Sequence, residues 1–539
     1  MATLNSFYER PILNSPYRAP ELHHPLDQNG QPLEGQPRQG RRPSRFIVPV
    51  PASRKKAQAN QATLDLETYT ENALINEIRG YVERWRGLRN PADWGVTAVS
   101  QRLLEHWRRP GGWSGPQPFF CQIEAVETII WLTEVAPRRA ATKGLLDQIA
   151  KANEEANPEL FRLAMKMATG SGKTTVMAML IAWQAVNAAR KKDSKDFSSA
   201  FLIVTPGITI KDRLRVLLPS EPDNYYATRE IVPPEMLPDI RRAEIVITNY
   251  HAFQHRETLA MPKVARSFLQ GNDPEPPRTI ETDADMLDRA CRKLLRYDRV
   301  NVLNDEAHHC YRHKVGDSAE GALTGDDKKE AAENEEAARL WINGVEALDR
   351  RLSKGVRAVY DLSATPFFLR GSGYREGTLF PWVVSDFSLM DAIESGIVKL
   401  PRVPVSDNLV QSNTVVYRNL WEHIGKDLPK TAAGAARLSP FDLPNMLQTA
   451  LNALYSHYVG EAERWLRAGI GVPPVFIVVC QNTAISKLVF EWIAGFERGD
   501  AEEGRGRPLR RSDRLCVQFR RPLIGVGKPR QPQDPQGAD

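Results

Sequence analysis

Residues 162–184 read RLAMKMATGSGKTTVMAMLIAWQ. Leu163 to Ala168 form an apolar run of strand length, and Thr174 to Ala185 run without Gly or Pro, with Val176, Leu180 and Trp183 on one helical face. Between them stand Thr169, Gly170, Ser171, Gly172 and Lys173. Gly170 and Gly172 have no side chain, so the backbone can curl there and aim its N–H groups at an anion. The helix behind them adds unpaired N–H groups and the positive end of its dipole. Lys173 supplies a charge for outer phosphates, and Thr174 a hydroxyl for Mg²⁺. The stretch from Thr169 to Thr175 is thus expected to hold a nucleotide. The longer form of this loop, G-x-x-x-x-G-K-[ST], has Gly where this chain has Met167.

A second apolar run ends in two acids: residues 301–309 read NVLNDEAHH. Open α/β sheets bind ligands beyond the C-terminal ends of their strands, which places Asp305 and Glu306 facing the loop. Asp305 is suited to hold Mg²⁺, and Glu306 to orient or deprotonate an attacking water. His308, His309, Cys310 and His313 crowd together, but adjacent histidines in a turn converge poorly on zinc and no second ligand pair appears. His308 is better read as coupling this site to residues 361–366, DLSATP, with Ser363 and Thr365 as its counterparts.

Short apolar strands alternate with helices from about 118 to 400. The expected strands are 162–168, 201–205, 244–248, 300–304 and 357–363. This alternation argues an α/β fold, a doubly wound parallel sheet with helices on both faces. Leu74, Ile75, Ile78, Tyr81, Val82 and Trp85 make one helical stripe ahead of it. A strand–helix unit is expected again at 475–494. The domain reading is an extended or disordered segment at 1–60, a helical preface at 61–115, a nucleotide-binding domain at 116–405, a linker and the start of a second lobe at 406–499, and a disordered basic tail at 500–539. The Arg-rich run with Arg41, Arg42, Arg45, Arg54, Lys55 and Lys56 reads equally as a phosphate contact or as a solvated linker.

The 539 residues carry a net charge of +6, with 42% apolar and 26% charged residues, an ordinary globular composition that permits a polyanionic partner. Five scattered cysteines without a C-x-x-C pair suggest a reducing compartment. The N-terminus lacks the layout of a secretory signal, and no apolar run approaches the ~18–20 residues of a membrane span, so a cytoplasmic protein without membrane association is expected.

MATGSGKT at 167–174, DEAH at 305–308 and SATP at 363–366 together resemble superfamily 2 DEAD/DEAH-box helicases and translocases, most closely the Res subunit of type III restriction enzymes, in the helicase-like restriction endonuclease group. The resemblance spans nearly all of 118–495 and implies a P-loop NTPase of RecA-like fold, using ATP and Mg²⁺ to drive a motor on double-stranded DNA, with a methyltransferase (modification) subunit as partner. It makes Gln122 in FFCQIEAVETI an adenine-reading residue. It makes VTPGITIKDRL (204–214) and ITNYHAF (247–253) segments that follow the nucleic-acid backbone, with Thr205, Pro206, Gly207, Thr248, Asn249 and Tyr250 at strand ends where hydroxyls and N–H groups can meet phosphates. Residues 379–405 resemble the passage between two lobes, and 473–493 the opening of the second.

The later motifs of that family, including its Q-x-x-G-R-x-x-R, are not visible. Gly506, Arg507 and Arg510 with Glu503 imitate it, but in a stretch without strands to position them. The expectation is therefore the N-terminal portion of the motor, with an incomplete second RecA-like lobe. Its rivals are a fragment that binds ATP and DNA without effective turnover, and an RNA helicase.

Overall fold

The computed structural model describes residues 6–27, 30–48, 68–191, 195–256, 281–314, 326–401, 420–428, 440–475, 477–480 and 482–494. The chain divides into two units, Met1–Leu400 and Pro401–Asp539.

The first unit is built on six strands: β1 (Arg162–Met167), β2 (Ala200–Thr205), β3 (Glu244–Asn249), β4 (Val300–Asp305), β5 (Val356–Ser363) and β6 (Val383–Phe387). They lie in the order β6-β1-β5-β4-β2-β3, and every neighbouring pair is parallel. Five of them fall within a residue of the strands expected from the apolar runs. The fold is a RecA-like P-loop fold, an α/β layer structure around a parallel sheet.

Side-chain alternation explains why helices cover both faces. Leu163, Met165, Met167, Phe201, Ile203 and Leu303 pack to one side, with helix α1 (Lys173–Arg190). Leu202, Val204, Val300, Val302 and Val359 pack to the other, with Trp341 and Val345 of helix α2 (Asp326–Arg351). Thr175 to Asn187 are all buried, so α1 is enclosed on every side rather than showing the single apolar face its sequence suggests. Each fully buried Leu, Ile or Met there contributes about 1.5–3 kcal/mol.

The described residues 6–27 and 30–48 carry pairings that an extended or disordered segment at 1–60 would lack. Arg42 is 7% exposed and pairs with Glu394. Arg41 pairs with Glu124 at 2.5 Å, and the Ser44 hydroxyl donates to Asp386 at 2.6 Å. Burial pushes the Glu124 carboxyl up, but Arg41 and Arg86 outweigh it and hold it down at about 2. The run is ordered because its cations find buried carboxylates far along the chain. Helices Ala73–Arg86 and Ala98–Arg108 follow, capped by Asn72 and Thr97. Leu74, Ile75, Ile78, Val82 and Trp85 are buried on the first, and Tyr81 is half-buried. Arg54, Lys55 and Lys56 lie outside the described residues.

In the second unit, Leu447 and Leu451 of helix Asn445–Arg467 pack with Ile485, Leu488, Val489 and Trp492 of helix Thr483–Ala494. Of the strand–helix unit expected at 475–494, the helix is present. Among the described residues 475 and 477–480 no strand forms, and Val475, Ile477 and Val479 are 81%, 79% and 90% exposed. A strand needs a neighbour to take its backbone hydrogen bonds, and none pairs here among the described residues. The tail at 500–539, with Glu503, Gly506, Arg507 and Arg510, lies outside the described residues. Among the described residues no helix is long and apolar enough to cross a membrane.

Candidate nucleotide site

The site stands at the C-terminal ends of β1, β5 and β4. Their registers are level: Met165 pairs with Leu362, which pairs with Asp305, while Lys166 pairs with Ser363. Gly170 and Gly172 adopt φ of +86° and +85°, left-handed backbone that residues with a Cβ adopt only at a cost. Gly172 is the N-cap of α1 and offers no side chain to the helix N-terminus, which leaves that end suited to an external anion.

The loop and the acidic pair meet. Lys173 Nζ lies 3.1 Å from Glu306 Oε1. Burial, and then the neighbouring Glu306 charge, raise the Asp305 carboxyl above its ordinary value, against the pull of Lys173. Such a pair of crowded carboxyls beside Lys173, with the half-buried Thr174 next in sequence to that lysine, suits a hard divalent cation. Glu306 itself has φ +50° and ψ +50°, a strained backbone for a residue other than Gly.

Two residues on, His308 Nδ1 lies 3.0 Å from Ser363 Oγ, and the Thr365 N–H donates to that same hydroxyl at 3.1 Å. Burial, with His309 beside it, lowers the His308 pKa to about 4, so the ring is neutral near pH 7. The sequence-derived His308, Ser363 and Thr365 are thus brought into one contact chain.

Gln122 also reaches the loop. Its Nε2 donates to the Ser171 carbonyl at 2.9 Å, and its Oε1 accepts from the Phe119 N–H at 3.0 Å. It is 4% exposed, so in this state it braces the loop and does not face an open slot. Ser171 in turn donates its hydroxyl to the Ala168 carbonyl at 2.7 Å, and Thr169 lines a cavity of about 790 Å³ with Lys166, Thr365 and Phe367.

The strand-end residues expected to touch a nucleic-acid backbone are placed differently. Thr205 is 1% exposed and donates to the Gly207 carbonyl at 2.9 Å; Thr248 is 6% exposed, its hydroxyl on the Asn249 carbonyl at 3.4 Å. Both hydroxyls are therefore taken up by carbonyls of the residues just after them. Asn249 accepts from the Ala252 N–H at 3.2 Å, and Tyr250 packs on His251 at 4.3 Å between ring centroids. Pro206 and Gly207 are half-buried.

Sequence reasoning missed a buried network beneath the site. Arg162 is fully enclosed, 2.8 Å from Asp361 and between the rings of Trp341 and Trp382 at 4.6 and 4.4 Å. It also donates to the Cys310 carbonyl at 2.5 Å. Asn304 donates to Asp361 at 2.7 Å, and Trp382 at 2.8 Å. Asn304 immediately precedes Asp305, and Asp361 stands two residues before Ser363, so the network ties β1, β4 and β5 together just under the functional turns. A charged residue opening an apolar strand, Arg162 in RLAMKM, was the available signal.

Residues 117–340 match the family model of the type III restriction enzyme res subunit. No curated protein and no solved structure matches the chain. With the parallel sheet, the glycine loop and the acidic strand end now in place, the chain holds a RecA-like P-loop fold whose residues 117–340 are similar to the type III restriction res subunits, a helicase-like family whose motors in general hydrolyse ATP.

Proposed function

We propose that the chain is an ATP-dependent DNA translocase or helicase motor of the type III restriction kind, working in the cytoplasm with a modification subunit. The observation that carries the reading is the 3.1 Å approach of Lys173 to Glu306, which joins two motifs 133 positions apart around one small site. Residues 169–175 cradle the triphosphate, and Lys173 neutralises its outer phosphates. Thr174 and Asp305 would hold Mg²⁺, which would supply charge to stabilise the phosphoryl oxygens. Glu306 takes or orients the proton of the attacking water. Gln122 is at the adenine side. His308, neutral and joined to Ser363, passes the state of the Glu306 turn to the Thr365 segment. Duplex DNA runs past the ends of β2 and β3 near Thr205, Pro206, Gly207, Thr248, Asn249 and Tyr250, where backbone groups rather than the two buried threonine hydroxyls serve the phosphates.

The test is phosphate release from ATP with and without duplex DNA, with duplex RNA as the comparison. Stimulation by DNA, and its loss in Lys173→Ala, support the reading. ATP binding without release in the unaltered protein favours a binding protein instead, and stimulation by RNA alone favours an RNA helicase.

A further inference from the structure

The segment Tyr225–Ile231 lies against the start of α1 and is held in place from several directions. Ser114 N–H donates to Glu230 Oε1 at 2.9 Å, and Trp107 Nε1 donates to the Ile231 carbonyl at 2.8 Å. Arg109 pairs with Glu230, and His106 Nε2 lies 2.6 Å from the Glu230 carbonyl. Glu230 adopts φ +49°, a strained turn that these bonds hold.

What this fastening presents is Arg229. Its guanidinium stacks over the Tyr225 ring at 4.0 Å and donates to Thr175 Oγ1 at 3.3 Å. Among the described residues it has no ion-pair partner, unlike Arg102 and Arg109 nearby, which hold Glu235 and Glu230. A planar cation fixed by a ring, with donors left over, is built for an anion. Thr175 is contiguous with the loop: a Cβ placed on Gly172 would lie 3.7 Å from Thr175 Oγ1 and 2.2 Å from Gln122 Nε2. Gln122, Gly172, Thr175 and Arg229 therefore adjoin in series along one flank of the loop. Glu306 and Lys173 mark the outer-phosphate end, leaving this flank for the inner end of the nucleotide.

We propose that Arg229 is a nucleotide-binding residue that contacts the inner, ribose-proximal phosphate of a nucleotide held by residues 169–175. This rests on reading that loop as the ATP site. Arg229 then supplies a second cation, at the other end of the phosphate chain from Lys173. Because ATP and ADP share the inner phosphates, it binds both alike.

Calorimetric titration of ATP, ADP and adenosine into the full chain with Mg²⁺ tests this. Arg229→Ala is expected to weaken ATP and ADP equally, about tenfold for one lost charge-assisted contact, and to leave adenosine unchanged. Arg229→Gln keeps an unbranched stem with a polar tip but is shorter and removes the charge; it should give the same loss, and it decides the matter if the alanine variant does not fold. Parental affinity for ATP and ADP in Arg229→Gln, alongside lost ATP binding in Lys173→Ala, overturns the role of Arg229 alone. An equal loss for adenosine overturns the phosphate contact. Parental ATP binding in Lys173→Ala overturns the site itself.

Discussion

His308 Nδ1 and Ser363 Oγ stand 3.0 Å apart, joining the turn after β4 to the turn after β5. Under the proposed function this bond carries the state of the nucleotide to the Thr365 segment. His308→Ala is expected to keep nucleotide binding within about threefold and to lose the coupling of hydrolysis to DNA movement. The checks are phosphate release and strand displacement measured on one preparation. Equal losses in both readouts would refute a coupling role.

The same histidine gives a pH signature. Its folded pKa is lowered to about 4 from 6.5, so between these values the unfolded chain binds the proton and the folded chain does not. Its contribution is full above pH ~6.5 and is lost as pH falls towards ~4. Urea unfolding midpoints should therefore fall less steeply over this window in His308→Gln than in the parent.

The buried Arg162–Asp361 pair predicts non-additivity. Arg162→Met leaves Asp361 enclosed without its cation, at a cost of about 3–5 kcal/mol. Arg162→Met with Asp361→Asn removes both charges and should be more stable than the single Arg162→Met variant. Urea unfolding of the two variants decides it.

How far the site was readable depends on the range of the forces that build it. β1 to β5 were legible because each is an apolar run ending in a motif, and the motifs themselves report strand ends. β6 was not: Val383–Phe387 contains Ser385 and Asp386, and Asp386 is buried only because Lys166, at 2.8 Å, and Ser44 reach it from elsewhere. The ordering of Arg41 and Arg42 was hidden for the same reason, since their partners lie 83 and 352 positions away. The strand expected at the start of 475–494 failed in the opposite sense among the described residues. Its apolar sequence is correct for a strand, but pairing is not a local property. Thr205 and Thr248 show the limit of motif reading: the strand-end position was right, yet their hydroxyls are taken up by nearby carbonyls.

Glu306 combines a reactive position with backbone strain at φ +50°. Glu306→Asn places there a residue that tolerates left-handed backbone and removes the carboxylate from the reach of water. It is expected to match or exceed the parent in thermal stability while lowering turnover about 10²–10⁴-fold. Phosphate release and a melting curve check this together. A clear loss of stability would mean that the Lys173 pair, and not the strain, dominates at this turn.

Gly170 and Gly172 separate two reasons for glycine in the loop. Both are left-handed, so alanine at either costs about 1–2 kcal/mol in backbone strain. Their surroundings differ. A Cβ on Gly170 would meet Val398 at 3.5 Å, an ordinary contact, whereas one on Gly172 would meet Gln122 Nε2 at 2.2 Å. Gly172→Ala must therefore also expel Gln122 from its bond to Ser171. We expect Gly172→Ala to lower the urea midpoint more than Gly170→Ala and to weaken ATP binding at least about tenfold. Adding Gln122→Ala to Gly172→Ala relieves the collision but not the strain, so stability should return to the level of Gly170→Ala and no further. Equal effects of the two single substitutions would show that Gln122 does not brace the loop in solution.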